Sequence, residues 1–357
     1  FQNAADAAAF ARMTLQRPQK EQTMRKETVL LSQQDIISLI TMKDIIECVD
    51  KTFQGLGDGT VINPTKVLLN LGETAPWPPY EGYMNAMPAY VGWCDIAGLK
   101  WAGGFLGERK KAGLPYITSM ILLLDPHLGE FRAVMDGAFI TNMRTGAQTA
   151  IALKYMYKKG KNIRLGLYGA GVQGRTQTMA VSELYDITEL KVYDLNQAAA
   201  ELFAEEMKGY VKGEISVLKT PEAASDADVC VLVTQAQDAF FQYPWFRPGM
   251  FLFPMGSYQE CSDECIRRAD KIVVDHPGQA LHRGALGKLG EAGEVTEKTL
   301  FATIGELAAG RKAFTAADAR DRVLCVPIGT GSMDVGVAHL VWQRAREKGV
   351  GGSFAFL

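Results

Sequence analysis

The stretch Leu165-Gly-Leu-Tyr-Gly169-Ala-Gly171-Val-Gln-Gly174 decides how this chain of 357 residues is read. An apolar run ends at Tyr168, three glycines follow in GxGxxG spacing, and a helix-compatible segment begins at 173. The glycine pattern by itself is short and common. What it does physically is more specific. Gly169 permits a tight turn, Gly171 lets backbone approach a pyrophosphate, and Gly174 allows close helix–strand packing. A helix starting here offers unspent N–H groups and its positive dipole end to phosphate oxygens. Asp194 follows the next apolar strand, about twenty residues beyond Gly174, where a carboxylate accepts hydrogen bonds from the adenosine ribose. It would repel a 2′-phosphate, and neither Leu195 nor Asn196 is an arginine that would welcome one. The expected cofactor is therefore NAD in preference to NADP. Arg175 either adds charge at the phosphates or is an exposed helix residue.

Working outward, the sequence after this turn alternates. Strands are predicted at 163–168, 190–193, 215–218, 229–233, 250–253 and 271–274, with helices at 173–184 and 197–207 separating the first three. That alternation is the pattern of an open parallel sheet. A helix is predicted over 145–159, a strand over 323–326, and a closing helix over 332–348 with Ser332 as its cap and Gly349 as its stop. Before residue 141 the pattern differs. Ser32 with Asp35, and Thr41 with Asp44, form capping-box pairs ahead of apolar stripes, and the glycine run 55–59 stops the second helix. Short strand-like segments then follow at 67–71, 82–91, 98–103, 119–124 and 131–135, the last two joined by turn residues 125–130. Strands without long intervening helices predict a mainly antiparallel or mixed sheet.

Composition narrows the function classes. Hydrophobic residues make up 47%, and 38 basic residues balance 40 acidic ones to a net charge of −2. Such a balance leaves no electrostatic footprint for nucleic acid or an anionic membrane. Apolar runs such as 119–124 and 250–255 are too short to span a bilayer. Only Cys261 and Cys265 lie close together among the six cysteines, without the histidines or spacing of a metal site. Reduced structural thiols in a cytoplasmic protein, with no metal, are expected. Residues 1–23 are Ala-rich and then polar, lack a secretory apolar core, and are set aside as a leader or extension of unknown role.

The chain resembles the ornithine cyclodeaminase/mu-crystallin family over about 31–347. The marks are MPAY at 87–90, GLKW at 98–101, GLP at 113–115, AVMDGAFITNMRTGA at 133–147, GAGVQG at 169–174 and IGTGSMD at 328–334. The segment ending in ITNMRTGA is the most specific of them. The resemblance implies a doubly wound α/β Rossmann domain (143–326) inserted in a second, α+β domain for substrate and dimerisation (24–142 plus 327–357). It also implies a homodimer acting on small α-amino acids or their imines at the nicotinamide.

Site residues follow from both sources. Arg144 matches the family arginine and would clamp the substrate α-carboxylate bidentately. It is expected at a helix start, where positive charge is unfavourable without a purpose. Lys66 stands where the family usually has a second arginine; the plain alternative is a solvated lysine. Lys100 lies inside an apolar strand, where an unpaired charge needs a reason, and would polarise a C=N group or act as acid or base. Ala170, Val172 and Gln173 of the turn, with Thr145, Thr234, Gly256 and Gly329, complete the expected cofactor contacts. Two departures stand out. Cyclodeaminases carry a glutamate before the Met-Pro pair, where this chain has Asn85 or Ala86, and an aspartate after the fifth Rossmann strand, where it has Ser257. Both departures favour simple hydride transfer, by an amino-acid dehydrogenase or imine reductase, over ring closure. A cyclodeaminase-type lyase with recycled NAD stays open if Glu260 substitutes for the missing carboxylate, as does a non-catalytic, crystallin-like binding protein. His276, His282, His339 and the charge run 108–111 read as ordinary loop or surface residues. Trp77, Trp93 and Trp101 read as core or pocket wall.

Overall fold

The computed structural model describes residues 27–74 and 82–356. The leader 1–23 and Trp77 lie outside them.

Two sheets organise the chain. The first draws on β1 (Thr28–Leu31), β2 (Val61–Ile62), β3 (Val67–Asn70), β4 (Gly82–Val91), β5 (Ile96–Phe105), β6 (Ile117–Leu124) and β7 (Phe131–Asp136). Its centre, β4 to β7, is antiparallel, and β1 lies parallel to β7. Alternation shows in β6, where Ser119, Ile121 and Leu123 point inward while Met120 is exposed.

The second sheet is wholly parallel. Its strands are β8 (Asn162–Tyr168), β9 (Asp186–Tyr193), β10 (Glu214–Val217), β11 (Val229–Leu232), β12 (Phe251–Pro254), β13 (Lys271–Val274), β14 (Ala302–Thr303) and β15 (Val323–Val326). Their spatial order is β10-β9-β8-β11-β12-β15-β13-β14. The central strands VCVL, FLFP and VLCV are buried at every position, as strands covered on both faces must be. Strand order reverses between β8 and β11, which creates the crevice where such sheets bind ligands. The strand predicted at 323–326 is present as β15, and it inserts between β12 and β13, a position the sequence pattern did not indicate. The final strand, β16 (Gly352–Phe354), returns to the first sheet antiparallel to β1.

The main helices are α1 (Gln33–Leu39), α2 (Met42–Asp58), α3 (Ala138–Met156), α4 (Val172–Leu184), α5 (Gln197–Met207), α6 (Gly284–Glu291) and α7 (Gly331–Lys348). Both predicted capping boxes are present on α1 and α2. The glycine run does not stop α2 at its beginning: Gly55 and Gly57 stay helical, and Gly59, at φ +78°, ends it. Helix α3 begins seven residues before its predicted start, so Arg144 lies two turns in rather than at the N-terminus. The dipole argument made for Arg144 therefore fails. Thr330, not Ser332, caps α7.

Candidate active site

At the carboxyl edge of β8 the glycines perform three different tasks. Gly169 adopts φ +104°, and a Cβ there would sit 2.7 Å from the Val233 carbonyl. A Cβ on Gly174 would sit 2.3 Å from the Gly169 carbonyl, so this contact between turn and helix excludes any side chain. At Gly171 a Cβ would meet nothing within 4 Å, leaving the approach to the N-terminus of α4 open. No side chain caps that terminus, so its first N–H groups, those of Val172 and Gln173 among them, remain available to an anion. The cradle fits a dinucleotide pyrophosphate. Asp194 accepts from the Ala170 N–H at 2.8 Å and from the Asn196 N–H at 2.8 Å, which holds the carboxylate beside the turn. Arg175 folds back: it pairs with Glu206 and donates to the carbonyls of Ala170 and Gly171. Gln173 is held by the Asn142 side-chain oxygen at 3.0 Å.

The other expected cofactor residues are less direct. Thr145 spends its hydroxyl on the Thr141 carbonyl of its own helix. Thr234 donates both its N–H and its hydroxyl to Glu260, each at 2.7 Å, and Gly256 donates its N–H to the same carboxylate at 2.7 Å. Glu260 is fully buried, and desolvation pushes its carboxyl up while these bonds oppose the shift. It therefore ties the loop after β11 to the loop after β12. A carboxylate so engaged is not free to replace the acid–base group of a cyclodeaminase. Ser257 is exposed in that second loop.

The substrate side forms where α7, α3 and the first sheet meet. Lys100 on β5 is 2% exposed and pairs with Asp334 at 2.8 Å. Arg144, 6% exposed, pairs with the other oxygen of Asp334 at 3.1 Å through Nε. Asp334 sits in the first turn of α7, where a helix favours negative charge. Gly329, at φ +85°, lies against the Arg144 guanidinium, and a Cβ there would come within 2.5 Å of Nη1. Burial first, and the Arg144 charge second, bring Lys100 down to about 8, against the pull of Asp334. Lys66, half-buried, donates to the Ile328 carbonyl at 3.4 Å. Desolvation, and then the positive charge of Arg283, bring it down to about 7.

A second carboxylate organises the backbone here. Asp275, at the end of β13, accepts from the N–H groups of Ile328 at 3.0 Å, Gly329 at 2.6 Å and His276 at 2.8 Å, and from Gln148 at 3.0 Å. Asn85 faces inward on β4 and is buried, while Ala86 faces outward, so Asn85 is the one that reaches the site. Its side-chain oxygen accepts from Arg283 Nη1 at 3.0 Å. Sequence reasoning assigned no role to Asp334, Asp275, Gln148 or Arg283. Asp334 did lie in the quoted segment 328–334, and Asp275 directly follows an apolar strand, the position at which parallel sheets place functional groups. His276 binds the Asn63 carbonyl at 3.1 Å, and His339 packs against Trp342. The run 108–111 forms an exposed helical turn closed by a Lys111–Glu108 pair. Trp93 donates to Thr52 within the fold, but Trp101 is 49% exposed on the outer face of the first sheet, in neither core nor pocket. Among the described residues no cluster of His, Cys, Asp and Glu could hold a metal, and no helix is long and apolar enough to cross a membrane.

Comparison with known proteins places this arrangement. The model of the ornithine cyclodeaminase/mu-crystallin family matches residues 26–349. An alanine dehydrogenase from Archaeoglobus fulgidus is 32% identical over 334 residues, covering 92% of this chain and 99% of that protein. Among solved structures, an archaeal alanine dehydrogenase dimer with bound NAD superposes with a TM-score of 0.84 at 32% identity, covering 93% of this chain and 100% of that one. The Thermococcus litoralis Δ1-pyrroline-2-carboxylate reductase, in complex with NADH and L-proline, gives 0.83 at 32% identity, with 91% and 99% covered.

Proposed function

The chain belongs to the ornithine cyclodeaminase/mu-crystallin family, and on that premise we propose how its residues carry out the work of an NAD-dependent oxidoreductase. Its reaction is hydride transfer between the nicotinamide and the α-carbon of a small amino or imino acid. The dinucleotide, when bound along the turn 169–174, supplies or accepts that hydride.

The observation that carries the reading is the buried group of Lys100, Arg144 and Asp334 beside Gly329. Asp334 fixes both cations in place. Arg144 bonds it through Nε and donates from Nη1 to the Gln148 side-chain oxygen at 3.4 Å, which leaves Nη2 and the second Nη1 hydrogen for a substrate carboxylate, with Lys66 as the second cation. Lys100 serves the reacting nitrogen. Its lowered proton affinity lets it donate in imine reduction and accept in amine oxidation near neutral pH. Ser257 and the engaged Glu260 leave the family's second acid–base position without a free carboxylate, which supports redox turnover over ring closure.

The test is NADH oxidation with a panel of 2-oxo acids plus ammonia or methylamine, alongside preformed cyclic imines. Turnover is expected with at least one small substrate. Arg144→Lys should lower kcat/KM roughly ten- to over a hundredfold, the worth of a lost charge-assisted fork. Ammonia release from ornithine with no net change in NADH would instead establish the lyase reading.

The enzyme is proposed to work as a homodimer in the cytoplasm, where its free thiols stay reduced. The outer face of the first sheet exposes Trp101 and Met120, and beside them lies an apolar trough of about 490 Å³ lined by Pro88, Leu99, Leu122 and Phe131. A continuous apolar face of this kind suits a second copy of the same sheet. Met120→Asp should shift sedimentation from dimer to monomer, and an unchanged dimer would move the interface elsewhere.

A further inference from the structure

Arg283 has no role in the reaction described above. It stands at the N-cap of α6 and makes no capping hydrogen bond there. A cation at that end of a helix is electrostatically disfavoured. It is half-buried, which costs further. Among the described residues no carboxylate lies within 4 Å of it, and its recorded hydrogen bond is to the neutral amide of Asn85. A half-buried cation at a helix N-terminus, without a countercharge among the described residues, has room for an anion brought by a ligand.

Its surroundings put that anion in the substrate space. The positive charge of Arg283 is felt at Lys66, where after burial it is the main influence lowering the proton affinity of the lysine. The next residue, Gly284, lies against Ile328, whose carbonyl receives Lys66, and against the loop at Gly256. Across the cleft, Asn85 of β4 meets the guanidinium, its side-chain oxygen accepting from Nη1 at 3.0 Å. Charge counting gives the same answer. Lys66, Lys100, Arg144 and Arg283 are served by Asp334, which is spent on two of them, and by Asp275, which is spent on backbone N–H groups. One substrate α-carboxylate leaves an uncompensated cation. Asn85 matters in the same way, because a carboxylate in its place would neutralise Arg283.

We infer that Arg283, oriented by Asn85, receives a second carboxylate, so that the preferred substrates are imines or amino acids bearing two acidic groups. This rests on the oxidoreductase reading above. The second group is carried either by the side chain of the oxo acid or by the amine that condenses with it. In either case water leaves as the imine forms. Reduction then delivers hydride from NADH to the α-carbon and a proton to nitrogen.

The test compares carboxylate-bearing substrates with matched neutral ones. Four- and five-carbon 2-oxo diacids with ammonia are set against the monoacids of equal length, and pyruvate with glycine against pyruvate with methylamine. The first pair reports a side-chain carboxylate and the second an amine-borne one. In the wild type at least one pair should favour the diacid form tenfold or more in kcat/KM. Arg283→Ala should cut that ratio roughly ten- to a hundredfold, and Arg283→Lys should restore part of it. Equal losses for both members of each pair would make Arg283 a structural residue and overturn the inference, as would a wild type that favours neither diacid form. A binding arm covers the case of no turnover at all, which would sink the oxidoreductase reading itself. With NAD present, succinate should raise Tm more than butyrate, and Arg283→Ala should erase the difference. Equal shifts in the wild type would overturn the second-carboxylate site on their own.

Discussion

The glycine turn at 169–174 and the ionic group around Asp334 are built on opposite plans. The turn is local and made of backbone. One contiguous stretch supplies the bend, the open approach and the helix end, and one later carboxylate braces it. The ionic group is made of side chains drawn from strands and helices far apart in sequence, from Lys66 to Asp334. Backbone recognition reads what all dinucleotides share. Side-chain recognition can change by substitution without disturbing the sheet that carries it.

Removing the centre of the ionic group is the severest way to test the contrast. Asp334→Asn leaves Lys100 and Arg144 buried without their countercharge, and breaking a buried pair on one side costs about 3–5 kcal/mol. Urea unfolding should show that loss together with collapse of kcat. Stability within 1 kcal/mol of the wild type would mean that the pair is solvated or that Lys100 sheds its proton at little cost.

Asp194 probes the other plan. Asp194→Ala removes the proposed ribose acceptor and also frees the N–H groups of Ala170 and Asn196. NAD affinity should fall about tenfold, near the worth of one or two hydrogen bonds, while discrimination against NADP relaxes. Paired kinetics showing that the wild type already prefers NADP would reverse the reading of this strand.

The smallest expected change sharpens the contrast without breaking it. Lys66 is held near 7, so its positive form is present below that pH and lost as pH rises through it. Substrate KM should therefore climb above pH 7 in the wild type. Lys66→Arg keeps its charge, so the climb should move to higher pH, with only a few-fold change at pH 6. An identical KM–pH profile in the two proteins would remove Lys66 from the carboxylate site.

The same contrast explains what could be read beforehand. The parallel sheet was legible because each buried strand is a short apolar run with its own turn signals, and Gly169, Gly171, Gly174 and Asp194 act within a single βαβ unit. The partners of Lys100 and Arg144 were not legible. Nothing local tells Lys100 on β5 that Asp334, on the last helix, will lie 2.8 Å away. The first two turns of α3 were not legible because β-branched and polar residues such as Ile140, Thr141 and Asn142 are weak helix formers, and tertiary packing makes them helical. The bracing role of Glu260 was not legible for a related reason: its partners, Thr234 and Gly256, are brought to it by two different strands. The insertion of β15 between β12 and β13 has no sequence signal, because any apolar strand of that length would fit the slot.

That insertion also decides where the chain leaves the second sheet. The chain passes between its two sheets along α3 and again where β15 gives way to α7. The first crossing carries Arg144 and the second carries Asp334, so the ion pair joins the two passages. Asp275 grips the second crossing through the N–H groups of Ile328 and Gly329, and Gly329 in turn lies against Arg144. The backbone of the second crossing and the Arg144 guanidinium are therefore held as one unit, and a change at Asp275 or Gly329 reaches Arg144 without passing through the first sheet.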